Sequence, residues 1–139
     1  DMYNKGANLL HTIRQVINDD TLFRKILRGL NKDFYHKTVT SKKVESYISK
    51  QSGKDLSKIF DQYLRTIKIP ALEYKIKGNN LFYRWVNCIT GFNMPVKLEN
   101  SSKWLYPTAE WKSISMTGDV ISKSLSVNKN FYIRVKKTQ

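Results

Sequence analysis

The stretch Ile67-Lys68-Ile69-Pro70-Ala71-Leu72-Glu73-Tyr74-Lys75-Ile76-Lys77 marks a change of period in the chain. Before it, apolar residues recur every three or four positions, as on one face of a helix. After Pro70, Leu72, Tyr74 and Ile76 alternate with Glu73, Lys75 and Lys77, as on a strand with one buried face. Proline lacks an amide donor and pushes the preceding Ile69 toward extended backbone, so a helix stops here. An α+β fold follows: an N-terminal helical unit of about four helices over residues 1–68, then a small antiparallel β-sandwich over residues 69–139.

Four helices are expected upstream of the junction. Leu9, Leu10, Ile13, Val16 and Ile17 give the first, from Lys5 to about Asn18. Asp20 or Thr21 caps a second, with Phe23, Ile26, Leu27, Leu30 and Phe34 on its face and Gly29 as a weak spot inside it. Thr40 or Ser41 caps a third, carrying Val44, Tyr47 and Ile48 and ending at Gly53. Asp55 caps a fourth, with Leu56, Ile59, Phe60, Tyr63, Leu64 and Ile67.

Downstream, Gly78-Asn79-Asn80 joins Leu72–Ile76 to Leu81–Val86 as a hairpin with a three-residue loop. Further strands are expected over Met94–Leu98, Ala109–Met116, Ile121–Val127 and Phe131–Val135, separated by Gly- and Asn-containing turns. The apolar junction lacks a flexible linker, so the two units are expected to pack together.

The 139 residues are 40% hydrophobic and 12% aromatic, the composition of a globular chain rather than a disordered one. No run of about 18 apolar residues exists to span a bilayer. The first residues lack the basic start, apolar stretch and cleavage site of a leader, and Asp1, directly ahead of a helical pattern, reads as the edge of a trimmed piece. Cys88 is the single cysteine, which excludes an internal disulfide and fits a small buried apolar residue.

A formal charge of +14 raises nucleic acid or an anionic surface as partners. Readers of nucleic acid concentrate cations on one element, whereas these lysines are scattered through helices, turns and strands, so a solvated surface is expected and nucleic acid is not. Phe82-Tyr83-Arg84-Trp85 could form a base-stacking platform, but alternating strand faces explain it more simply.

Chemistry is hard to find in the residues alone. His11 and His36 are the only histidines and are far from His-Glu-x-x-His spacing, so a complete metal site is not expected. Gly-x-Ser-x-Gly and phosphate-binding Gly-rich loops are absent. The adjacent acids Asp19 and Asp20 sit where a helix cap belongs, not where a catalytic carboxylate pair would.

The segment Tyr3-Asn4-Lys5-Gly6-Ala7-Asn8-Leu9-Leu10-His11-Thr12-Ile13-Arg14, however, resembles a stretch of the gluzincin zinc aminopeptidases, the family of alanyl aminopeptidase. There, a Tyr-x-Lys-Gly element opens a helix downstream of the zinc motif, and Tyr3, Lys5 and Gly6 match it. Ser52-Gly53-Lys54-Asp55-Leu56 and Phe60-Asp61-Gln62-Tyr63-Leu64 look like the family's last catalytic-domain helix, with Tyr63 in place of a commoner tryptophan. The order of a helical unit, an apolar-Pro junction and a β-sandwich also fits.

The resemblance implies a part of a zinc metallopeptidase, a hydrolase removing N-terminal residues from peptides, with Tyr3 as the one catalytic candidate. It implies that zinc, its ligands and the general base belong to an upstream catalytic domain, so that this piece is inactive alone. Lys5 is equally a surface charge, and Gly6 equally a residue permitting close helix packing. Two rival expectations are a basic module that binds nucleic acid or an anionic surface, and a structural β-sandwich accessory unit.

Overall fold

The computed structural model describes residues 2–99, 102–115 and 125–138, and the side chains of residues 2–5 are outside that set. Among the described residues, the helices are α1 (Met2–Ile17), α2 (Asp20–Asp33), α3 (Ser41–Ser52) and α4 (Ser57–Arg65). The strands are β1 (Ala71–Lys77), β2 (Asn80–Val86), β3 (Val96–Lys97), β4 (Trp104–Leu105), β5 (Lys112–Ser115) and β6 (Arg134–Lys137). This is the expected α+β fold, with the change of period at Pro70 separating helices from strands.

Local chemistry explains most helix ends. Thr40 caps α3 by accepting from the Lys43 amide, and Gly53 ends it in the left-handed conformation at φ 71°. The cap of α2 is Asp19, whose carboxylate accepts from Leu22 N at 3.0 Å, rather than the expected Asp20 or Thr21. Asp20 turns instead to Arg14, at 2.8 and 2.9 Å. Leu56 holds the N-cap position of α4 without a side-chain cap, while Asp55 accepts from the amide and hydroxyl of Ser57. That helix stops at Arg65, and Ile67, expected on its face, is 96% exposed.

At nine residues α4 is too short to be stable alone, since isolated helices below about 12 residues are marginal. Burial of Ile59, Phe60, Gln62 and Tyr63 holds it in place. Gln62 bonds past the helix end: its amide donates to Lys68 O at 2.9 Å and its carbonyl accepts from Ile89 N at 2.7 Å. One side chain thus ties α4 to the junction before β1 and to the loop after β2. Gly29 is more than a weak spot, because a Cβ there would collide with the Tyr47 hydroxyl from α3.

The main sheet has the order β5-β2-β1-β6. The hairpin β1/β2 is antiparallel with Lys77 opposite Asn80, so its loop is two residues, not three. Gly78, at φ 59°, supplies the left-handed residue such a short loop needs. A sheet antiparallel throughout was expected, but β6 runs parallel to β1, with Ala71 opposite Arg134. It also starts at Arg134 rather than Phe131, because Phe131 is buried in the core and the Tyr132 backbone is engaged elsewhere. Trp104–Leu105, not expected as a strand, pairs with β3 to form a two-stranded ribbon. The expected strand Ile121–Val127 lies mostly outside the described residues, apart from a bridge between Val127 and Leu98.

One buried cluster runs through both halves, from Leu9, Ile13 and Ile17 through Phe60 and Tyr63 to Leu72, Tyr83, Trp85 and Phe131. Glu45 is the unusual member of the helical part. Only 7% exposed, it accepts from both Arg65 guanidinium nitrogens at 3.1 and 2.8 Å and from Ser41 Oγ at 2.6 Å. These bonds, the Arg65 one foremost, hold its carboxyl below the ordinary value of 4.5. A depressed folded-state value adds stability above about pH 4.5 that is lost as pH falls through the folded value. Glu45→Gln should therefore lower stability by about 1–2 kcal/mol at pH 7, with the gap to wild type closing below pH 4.5 in a melting series. A gap constant down to pH 3 would refute the assignment.

Candidate functional site

Tyr3 and Lys5 occupy the first turn of α1, the position expected of an element that opens a helix. Their side chains lie outside the described set. Gly6 follows on an exposed surface, and a Cβ built there meets nothing within 4 Å, so close packing among the described residues does not require glycine at this position. His11, further along α1, is exposed, and His36 is exposed in the loop after α2 beside the Tyr35 ring.

The buried side of α1 is ordered by Leu9, Thr12, Ile13, Val16 and Ile17. Thr12 is the polar exception. Its hydroxyl donates to Asn8 O at 2.8 Å within α1 and accepts from Tyr132 N at 3.0 Å. Tyr63 of α4 donates its phenol proton to Tyr132 O at 2.7 Å. Burial pushes the Tyr63 phenol far above its ordinary value, so it stays protonated and remains a donor. Sequence reading missed Thr12, Gln62 and Tyr132, because no short-range pattern signals partners this far along the chain.

Cys88 is half-buried, donates to Val86 O at 3.1 Å, and has its thiol pushed up to about 11 by burial. Such a thiol is a poor nucleophile near neutral pH, in keeping with its reading as an apolar filler. A cleft of about 570 Å³ between α3 and α4 is lined by Lys42, Glu45, Lys50, Lys54, Asp55 and Phe60. Its two carboxylates are already bonded, Glu45 to Arg65 and Asp55 to Ser57, so the cleft offers no free acid and base pair.

No group of three His, Cys, Asp or Glu side chains among the described residues could hold a metal ion. On the sheet, Tyr83 and Trp85 are buried at 3% and 2% exposure, while Phe82 and Arg84 alternate outward. Half of the aromatic stretch is therefore closed to base stacking. Lys75 and Arg84 each lie 4.5 Å from the Trp111 ring centre, so neighbouring cations already occupy that aromatic. No described helix is long and apolar enough to cross a membrane.

No protein-family profile matches the chain. It is similar to a protein described as probable aminopeptidase 1 of Sulfurisphaera tokodaii, with 24% identity over 135 residues covering 92% of this chain. Its fold resembles that of Legionella pneumophila aminopeptidase A, solved in complex with aspartic acid, with a TM-score of 0.71 over 98% of this chain and 20% identity. The chain spans 17% of the length of each of these two proteins.

Proposed function

We propose that this chain is a piece of a zinc-dependent aminopeptidase of the gluzincin type: the end of the catalytic domain, residues 1–68, and the β-sandwich that follows, residues 69–139. The observation that carries this reading is the continuous likeness to aminopeptidases across nearly the whole chain, in sequence over 92% of it and in fold over 98%. A likeness of that extent crosses the helix-to-strand junction, which a chance match to one helical hairpin would not do. The Tyr-x-Lys-Gly element at Tyr3, Lys5 and Gly6 refines it to the gluzincin type.

In this reading the upstream catalytic domain supplies the metal, its ligands and the general base, and the substrate is a peptide with a free N-terminus. Tyr3 contributes a hydrogen-bond donor. When water adds to the scissile carbonyl, its oxygen gains negative charge, and a phenol hydroxyl aimed there binds the transition state more tightly than the ground state. A phenol ionises near pH 10, so the donor keeps its proton at working pH.

The test uses the full-length protein and the isolated 139-residue chain side by side. The full-length protein should release the first residue from a free peptide but not from its N-acetylated counterpart. A chelator should reduce that rate to background, and added zinc should restore it. The isolated chain should neither hydrolyse peptide nor take up zinc stoichiometrically. Activity indifferent to the chelator, or hydrolysis by the isolated chain, would refute the reading.

A further inference from the structure

The peptide groups flanking the Tyr132 residue are held by two helices at once. Its N–H donates to Thr12 of α1 at 3.0 Å, and its C=O accepts from Tyr63 of α4 at 2.7 Å. Both side chains are buried, Thr12 at 0% and Tyr63 at 2% exposure. The next residues lead directly into β6, where Arg134 N donates to Pro70 O at 2.9 Å and the strand pairs with β1. The clamp is thus anchored in the sheet on one side and grips α1 on the other.

Apolar burial is non-directional, so Leu9, Ile13 and Val16 hold α1 against the core while resisting small axial slips only weakly. A hydrogen bond weakens steeply with distance and misalignment, so the bond at Thr12 fixes both the rotation and the axial register of the helix. Tyr3 lies nine residues toward the N-terminus on the same helix, about 13.5 Å at 1.5 Å per residue, so a shift of α1 along its axis carries Tyr3 with it. A reacting-group displacement of about 1 Å costs on the order of 100-fold in rate.

We propose that Thr12 is a positioning residue for the peptidase reaction: through the Tyr132 clamp, the strand-rich half sets the register of α1 and thereby the placement of the Tyr3 hydroxyl. This rests on the proposed role of Tyr3, and it gives the β half of the chain a part in catalysis without contact to substrate. Thr12 acts through α1, and Tyr63 supports it from the opposite side of the same peptide.

The experiment is a mutant cycle in the full-length protein, with kcat and KM measured where circular dichroism shows each variant fully folded. Thr12→Val keeps the side-chain shape but removes the hydroxyl, and should lower kcat roughly 10- to 100-fold while KM stays within about twofold. Thr12→Ser restores the oxygen and should return kcat to within about threefold of wild type. In a Tyr3→Phe background, Thr12→Val should have little further effect, because its role runs through the missing hydroxyl.

A normal kcat in folded Thr12→Val, or an equal loss with and without the Tyr3 hydroxyl, overturns the proposal while leaving the role of Tyr3 standing. If Tyr3→Phe itself keeps full turnover, the role of Tyr3 falls and this proposal falls with it. Should Thr12→Val fail to fold, Tyr63→Phe takes its place in the same cycle with the same expected pattern.

Discussion

Tyr3→Phe in the full-length protein should lower kcat by about 100- to 1,000-fold, with KM nearly unchanged. Phenylalanine keeps the ring and removes only the hydroxyl, so the substitution isolates the proposed donor. The corresponding loss of transition-state stabilisation is roughly 3–4 kcal/mol, the range found when one oxyanion donor is deleted. A ground-state carbonyl is a weaker acceptor than the oxyanion, which is why the effect should fall on kcat rather than KM. Steady-state kinetics on a free-amine peptide decide the matter, and turnover within twofold of wild type would reduce Tyr3 to a packing residue.

The largest effect on stability is expected from Trp85→Ala. Trp85 is 2% exposed, stands opposite Leu72 on the inner face of the sheet, packs edge-on against Phe92 at 5.1 Å, and donates to Met94 O at 3.0 Å. Truncation leaves a cavity, costing about 3–5 kcal/mol, and strips a buried carbonyl of its donor, costing about 1–3 kcal/mol more. Small domains have about 5–15 kcal/mol in total, so the variant should lose much of its stability and about 15 °C or more in Tm. Phe82→Ala, on the same strand but the outer face, should cost about 1 kcal/mol, mainly through lost packing and its contact with Lys75. Equal losses in the two melting curves would contradict the assignment of strand faces.

The Trp85 and Phe82 pair also shows what could be read in advance. Alternating faces along Leu81–Val86 were visible in the sequence, and the structure puts Leu81, Tyr83 and Trp85 on the inner one. The same holds for most of the apolar faces of α1 to α4 and for the ends of α3, with Thr40 one of its two expected caps and Gly53 its stop, because caps and periodicity act over a few residues; Leu10, Leu27, Leu64 and Ile67, expected on those faces, are exposed instead. Where two local signals competed, sequence could not decide between them. Asp19 and Asp20 are both able caps, and Asp20 is drawn away by Arg14 across the turn between α1 and α2.

The proposed role of Tyr3 rests on a family resemblance alone, since nothing in its own spacing distinguishes it from any aromatic at a helix start. Thr12, Gln62 and Tyr132 were not legible at all. Thr12 looks like an ordinary threonine on a helix, and its partner stands 120 residues away.

The sequence by itself determined where helices give way to strands, which face of each long element is apolar, and that four helices precede the sheet. These follow from steric limits on proline and from side-chain periodicity, which are properties of neighbouring residues. The tertiary structure alone decided that β6 lies parallel beside β1, that α4 ends where Gln62 can reach Lys68 O, and that the Tyr132 backbone joins α1 to α4. Those outcomes depend on which distant backbone groups remain unpaired once the core has closed, since buried donors and acceptors must find partners wherever the chain brings them.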